Sequence, residues 1–312
     1  MREFSSEDIR KKIPMGKAIE LMKEAFVQLS GRKATVPVRT SIEAKDGSGR
    51  TLFMPSYSPD FGLFGVKMVS VFDRNTTRNL PAIHAVMLIM DGQTGKPLGL
   101  LEAEYLTALR TGAATGLASD FLSRKDSHVL AIFGTGTQAE TQLEGVLEVR
   151  PIKEVIVFGR TDHKTISFCK RMYEEFNVDI HPAPKPEDLK RADIICTATT
   201  SLTPVFQGIH IKPGVHINGV GSYKPSMQEI PADVIQAAML VVDQREAALA
   251  EPGDIVIPLQ QGLIRSNHID AELGEIISGS KSGRTTPEQT TVFKSVGNAI
   301  QDLAMAHFMF QA

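Results

Sequence analysis

The sequence predicts an α/β protein in two parts: a doubly wound parallel sheet, preceded by a smaller α+β region built on a mainly antiparallel sheet. Three observations predict it. Apolar, β-rich runs at about 34–44, 51–55, 64–72 and 81–90 are separated by turn signals such as Asp46-Gly47 and Asp91-Gly92. From His128 onward, buried strands alternate with helices. A glycine-containing turn, GTGTQA, directly follows the first of those strands. A length of 312 residues suits two domains. The expected division sets 1–115 together with 294–312 against 116–293.

Taken in order, Ser5 with Asp8 has the spacing of a capping box, so a short helix should run to Pro14. Ile19, Met22, Phe26 and Leu29 recur at helical spacing, and Gly31 should end that second helix. After the antiparallel strands, Tyr105, Leu109, Ala113, Leu117 and Phe121 mark a helix over 104–121 that leads into the second part. HVLAIF (128–133), VIVF (155–158), DIICTAT (193–199), VHINGVG (215–221) and MLVVD (239–243) read as successive buried strands. Ile166, Cys169, Met172, Tyr173 and Phe176 are expected to share the buried face of the helix after Asp162. The segment 281–293 reads as a polar connector, and a last helix from about Asn298 to the end is expected to pack back on the first part.

Charge narrows the function. Lys and Arg number 34 and Asp and Glu 36, leaving −2, which excludes partners held by bulk positive charge such as nucleic acid or anionic membrane. Trp is absent and aromatics are 6%, so stacking platforms for single strands are not expected. Cys169 and Cys196 lack metal-ligand spacing, so no metal site is expected and two free buried thiols in a cytoplasmic protein are the reading. The charged start MREFSSEDIRKKIP does not resemble a signal peptide, and no apolar run reaches the ~20 residues of a membrane span.

Gly134, Thr135, Gly136, Thr137, Gln138 and Ala139 have the G-x-G-x-x-A spacing of a Rossmann dinucleotide turn, in the strand–turn–helix context such a turn requires. Gly134 permits the tight turn, Gly136 lets a pyrophosphate approach the backbone, and Ala139 lets helix and sheet pack closely. At the end of the second strand, where an acid would bind a ribose 2′-hydroxyl, stand Gly159, Arg160 and Thr161. A guanidinium beside a hydroxyl suits a 2′-phosphate, so NADP(H) is expected ahead of NAD(H). The competing reading leaves Arg160 solvated and gives the ribose to Asp162. Val220 and Ser222, after the fourth strand, are also expected at the cofactor.

In the first part, Arg39 in VPVRTSI, Lys67 in FGVKMVSV and Arg110 in LTALRTGA are flanked by apolar residues. Each costs desolvation energy unless it meets an anion, and together they suit a substrate carboxylate. Structural salt bridges account for the pattern equally well.

The segments FGVKMVSVF, PAIHAVMLIMDGQTGKPLGLLEAEYLTALRTGAATGLAS, FGTGTQA, INGVGSYKPSMQE and SVGNAIQD, in that order, make the sequence resemble the ornithine cyclodeaminase/mu-crystallin family along nearly its whole length. The resemblance implies a Rossmann domain, a substrate domain made from the N-terminal region and the C-terminal helix, and a homodimer formed through the N-terminal sheets. It also implies that Arg39, Lys67 and Arg110 hold a substrate carboxylate. One departure stands out. Cyclodeaminases of the family carry an Asp for the distal ammonium after the segment matching Asn218–Gly221, whereas Ser222 and Tyr223 stand here.

Without that acid, reduction of a small cyclic imino acid such as pyrroline-2-carboxylate to L-proline is the expected activity, because an iminium accepts hydride with little help from acids or bases. Amino-acid dehydrogenation of the alanine dehydrogenase type, cyclodeamination of ornithine and NADPH-dependent small-molecule binding of the mu-crystallin type are the alternatives. Three further residues have two readings each. His84 is a proton shuttle or a hydrogen-bonded strand residue. Tyr223 donates a proton or lines the pocket. Asp302 orients a ligand or lies on a helix surface.

Overall fold

The computed structural model describes residues 1–183 and 185–311, and the chain forms two compact units, Met1–Arg110 with Gly297–Ala312, and Thr111–Val296. The first unit holds a six-stranded sheet in the order β1-β6-β5-β4-β3-β2, built from Arg2–Phe4 (β1), Thr40–Glu43 (β2), Arg50–Ser58 (β3), Leu63–Val71 (β4), Ile83–Asp91 (β5) and Pro97–Glu102 (β6). β2 to β6 pair antiparallel, and the edge strand β1 pairs parallel to β6. Sequence reading missed β1, which is too short for any alternation to be seen, and β6.

Two helices open the chain. Ser6–Lys12 (α1) starts from the predicted box, with the Ser5 hydroxyl accepting from the Asp8 amide and the Asp8 carboxylate accepting from the Ser5 amide. Met15–Ser30 (α2) buries Ala18, Met22, Ala25 and Phe26. It packs with the C-terminal helix Ala299–Gln311, which also covers β3 and β4 as expected. Gly65 lets that helix approach, since a Cβ there would overlap Met87 and crowd Leu303. Alternation puts Leu52, Met54, Met87, Ile89 and Leu101 on this covered face.

Glu104–Leu122 (α3) carries the chain into the second unit, the division falling between Arg110 and Thr111. There Val129–Phe133 (β7), Glu154–Phe158 (β8), Asp179–Pro182 (β9), Ile194–Thr197 (β10), His216–Gly219 (β11), Met239–Val242 (β12), Ala271–Glu272 (β13) and Thr291–Lys294 (β14) form an all-parallel sheet ordered β13-β12-β14-β11-β10-β7-β8-β9. Strand order reverses between β7 and β10, so the crevice outside their C-terminal ends is the topological switch point where such sheets bind ligands. Thr137–Val149 (α4) and Asp162–Phe176 (α5) follow β7 and β8.

Two expectations need correction. α5 buries Thr165, Phe168, Cys169 and Met172, while Ile166 and Tyr173 are 59% and 54% exposed: the true stripe includes a threonine that a search for apolar residues passes over. The connector placed at 281–293 ends in β14, a strand between β11 and β12 in the sheet interior. Its polar ends disguised it. The Thr291 hydroxyl donates to Leu122 O and lies 2.9 Å from His216 Nδ1, so it is satisfied while fully buried, and the buried Lys294 ammonium has its charge paired by Asp254 at 3.1 Å.

Candidate active site

In the first unit, the three cations singled out in the sequence converge on the start of the C-terminal helix. Lys67 enters from the middle of β4 on the covered face and is fully buried. Its ammonium donates to Asp302 Oδ1 at 2.7 Å and to Thr107 Oγ1 at 3.1 Å. Arg110, on α3, donates from Nη1 to Gln301 Oε1 at 2.9 Å, and its Nε lies 3.5 Å from Asp302 Oδ1. Arg39 donates from Nη2 to the carbonyl of Gly297 at 2.7 Å. Gly297 has φ +73°, and a Cβ on it would overlap the Arg110 guanidinium, so glycine is required on both counts.

Asp302 is fully buried, which removes the helix-surface reading. Its carboxylate meets the Lys67 ammonium and the Arg110 guanidinium, two cations brought together in a buried place. Burial brings the Lys67 ammonium down to about 7 from 10.5, opposed by Asp302 and reinforced by Arg110. A bound carboxylate would offset the repulsion between Arg110 and Lys67. Sequence reading missed Gln301, whose carboxamide fixes Arg110 and which carries no charge to draw attention.

His84 is not part of this cluster. Register pairs Lys67 with Met87 and Ser70 with His84, which puts His84 on the opposite face of the sheet, where it is exposed and 3.9 Å from Glu104. Tyr223 lies in the second unit, half-buried, with the Lys224 ammonium 5.6 Å from its ring centre.

The second unit carries the glycine turn at the switch point. Gly134 has φ +111°, and a Cβ there would press on the carbonyl of Ala198 after β10. Gly136 caps α4 without a side chain, and a Cβ on it would meet nothing within 4 Å. Ala139 is buried against the sheet, whereas Thr135 and Gln138 are half-buried and Thr137 is exposed. These are the features a pyrophosphate needs: an open backbone approach and an uncapped helix N-terminus. Gly159, whose Cβ would run into the Thr165 hydroxyl, precedes an exposed Arg160, and Thr161 stands at the N-cap of α5 without using its side chain there. The residues present therefore fit a dinucleotide.

A buried carboxylate shapes the neighbouring loops. Glu229 accepts from the Thr199 amide at 2.6 Å, the Gly221 amide at 2.7 Å, and the Ser222 amide and Thr197 hydroxyl at 3.0 Å each. It joins the loops after β10 and β11. The Glu229 and Ile230 amides in turn donate to Asp254 Oδ1, and Asp254 pairs with Lys294. Burial raises the Glu229 pKa, against the pull of Lys294. Ser222 points its hydroxyl inward at Met227 O, and Val220 is held by its amide on Thr197 O. Sequence reading missed this trio. Lys294 in TVFKSV and Asp254 in PGDIVIP carry the same signal, a charge within apolar neighbours, that singled out Lys67.

The thiols of Cys169 and Cys196 are free and buried, and burial pushes them up to about 11 and 12. Among the described residues no group of three His, Cys, Asp or Glu could hold a metal ion, and no helix is long and apolar enough to cross a membrane.

Comparison with known proteins sets these features in context. The model of the ornithine cyclodeaminase/mu-crystallin family matches residues 4–312. Delta(1)-pyrroline-2-carboxylate reductase of Bacillus cereus is 39% identical over 313 residues, which is 100% of this chain and 96% of that protein. The solved structure of Thermococcus litoralis Delta(1)-pyrroline-2-carboxylate reductase in complex with NADH and L-proline has a TM-score of 0.96 at 40% identity, covering 100% of this chain and 97% of that one. An archaeal alanine dehydrogenase dimer with bound NAD has a TM-score of 0.93 at 33% identity, over 99% and 94% of the two chains. Since the likeness runs the full length and not along the glycine turn alone, the chain belongs to the ornithine cyclodeaminase/mu-crystallin family.

Proposed function

We propose that the protein is an NAD(P)H-dependent oxidoreductase that reduces a small cyclic imino acid, with Δ1-pyrroline-2-carboxylate to L-proline as the model reaction. The observation that carries the reading is the cluster in which buried Lys67 and Arg110 meet the carboxylate of Asp302 while Arg39 is held on the Gly297 carbonyl, five residues before Asp302 in the chain. Two buried cations close enough to repel each other suit the carboxylate common to imino and amino acids. The two pyrroline-2-carboxylate reductases support the same substrate class, and the solved structure of one is a complex with NADH and L-proline.

Each residue has a stated task. Arg110, fixed by Gln301 and Asp302, and Arg39, fixed by the Gly297 carbonyl, present guanidinium edges to the substrate carboxylate. Lys67 adds a point charge whose protonation is favoured by the bound anion. The dinucleotide, when bound at the turn after β7, supplies the hydride. Orientation of the C=N carbon then falls to the clamp, and a substrate that binds as its iminium needs no further proton. Cyclodeamination is disfavoured because Ser222 and Tyr223 provide no carboxylate for a distal amine. The alanine dehydrogenase relative supports a second reading, oxidation of a small amino acid at the same clamp.

Arg160, exposed just after β8, supports NADP(H) ahead of NAD(H). The reducing cytoplasm suits the two free thiols. A homodimer through the first unit's sheet is part of the proposal. The test follows nicotinamide absorbance with pyrroline-2-carboxylate, piperideine-2-carboxylate, pyruvate plus ammonia, and ornithine, each with NADPH and NADH. The cyclic imines should turn over fastest, with a lower KM for NADPH. Arg110→Ala should raise the imine KM by about 100-fold while NADPH affinity stays within twofold, about 3 kcal/mol for a lost charge-assisted contact. Ammonia release from ornithine as the dominant activity would overturn the reading.

A further inference from the structure

Among the described residues, four buried polar atoms at the start of the C-terminal helix find no hydrogen-bond partner: Asn298 Oδ1 and Nδ2, Gln301 Nε2 and Asp302 Oδ2. Positions 298, 301 and 302 are related by three and four residues, so they share one side of the helix. Asn298 is 5% exposed and the other two fully buried. Leaving such groups unpaired costs the folded protein their full desolvation penalty, and native chains seldom leave several together without a ligand to satisfy them. Asn298 is the least expected of the three. It immediately precedes Ala299, the first helical residue, and its carbonyl accepts from the Gln301 amide, as an N-cap residue's should. An asparagine there ordinarily turns its side-chain oxygen onto a free amide of the first turn. Here that oxygen has no such bond, so the cap has been forgone.

Donors for a substrate carboxylate are already plentiful at this site. The Gln301 oxygen is held by Arg110, which leaves its Nε2 as one more donor beside Lys67, Arg110 and Arg39. For the nitrogen of an imino acid, which lies two bonds from the carboxylate carbon, two unpaired acceptors remain, Asp302 Oδ2 and Asn298 Oδ1, and the first belongs to the carboxylate that already pairs with Lys67 and Arg110. Asn298 adjoins Gly297, whose carbonyl takes Arg39 and whose Cα lies against Arg110, so its carboxamide is next to the clamp.

We propose, building on the imino-acid reading above, that Asn298 accepts the ring N–H of the substrate and makes the site selective for a nitrogen ring over its carbocyclic analogue. A neutral carboxamide suits this task. It holds the N–H without setting a second negative charge beside the iminium, whose positive nitrogen is what makes the carbon electrophilic. A carboxylate in the same place would stabilise that charge in the ground state and oppose hydride addition.

The test uses L-proline and cyclopentanecarboxylate, which share ring and carboxylate and differ in the nitrogen. In Asn298→Leu, close in volume and without polar atoms, and in Asn298→Ala, L-proline affinity should fall at least about tenfold and the KM for pyrroline-2-carboxylate rise by a similar factor. Cyclopentanecarboxylate should compete within twofold of its wild-type strength, and the melting temperature of ligand-free Asn298→Leu should be unchanged or higher, since two unpaired buried groups are gone. Unchanged L-proline binding, or an equal loss for both ligands, would overturn the assignment. If wild-type protein binds neither ligand, the imino-acid reading itself falls. If it binds both and Asn298→Leu does too, only the role of Asn298 falls.

Discussion

A lysine with no exposed surface must either find a counter-charge or give up its proton, and Lys67 sits between these outcomes. Asp302 favours the ammonium, while desolvation and Arg110 bring its pKa down to about 7. The folded value lies below the unfolded one of 10.5, so between about 7 and 10.5 the unfolded chain binds the additional proton. From this group alone, stability therefore rises with pH across that window, and the cost of the buried charge is felt in full below it. Ligand binding has the opposite sign: a carboxylate beside Lys67 favours the charged form, so binding above pH 7 must take up a proton. The affinity for cyclopentanecarboxylate, whose own carboxyl stays ionised, should be flat below pH 7 and fall by up to about tenfold per unit above it. Lys67→Met should bind more weakly and lose the break. Calorimetry in buffers of different ionisation enthalpy checks this directly, and binding at pH 8 without proton uptake would refute the role given to Lys67.

At the scale of elements, the strap formed by Glu229 decides the shape of the loops after β10 and β11, because four donors from them end on one carboxylate. Glu229→Gln would turn an NH2 group toward donors that need an acceptor, leaving one or two of them unsatisfied at about 1–3 kcal/mol each. NADH affinity should fall about tenfold or more and the melting temperature drop by several degrees, while cyclopentanecarboxylate binding, which depends on the first unit, should be retained. Fluorescence titration of NADH separates these effects, and unaltered NADH affinity would show that the strap does not shape the cofactor loops. The same elements show where sequence was legible. Strands buried on both faces, such as β7 and β8, appear as unbroken apolar runs, and the glycine turn between β7 and α4 announces itself by spacing. β14 does not, because Thr291 and Lys294 look like surface residues until the fold supplies hydrogen bonds for the first and a counter-charge for the second. Likewise Lys67 and Arg110 stood out among apolar neighbours, but their convergence on Asp302, 235 residues from Lys67, is a product of topology that local pattern does not encode.

For the whole molecule, the sheet of the first unit poses the remaining physical problem. One face is covered by α2 and the C-terminal helix, while the other is also apolar: Phe53 pairs with Met68, Pro55 with Val66, and Tyr57 stacks on Phe64 at 4.2 Å, with Val86, Leu88 and Met90 next to them on β5. These residues are only half-buried or exposed in the single chain. A patch of this kind on a monomer marks an interaction surface. A second copy is the occupant proposed, since the archaeal alanine dehydrogenase relative is a dimer and apolar faces of this kind are typical of obligate homodimers. Val66 and Leu88 are directly opposed across β4 and β5, near the middle of the face. Glutamates at both would place four like charges in a desolvated two-fold interface, a penalty no rim contact offsets. Light scattering should therefore find a dimer of about twice 34.0 kDa for the wild type and a monomer for Val66→Glu/Leu88→Glu. The wild-type melting temperature should rise with protein concentration and that of the variant should not, because only an associating protein gains stability by mass action. A variant that stays dimeric would move the interface to another surface, and a monomeric wild type would require this apolar face to be covered by something else.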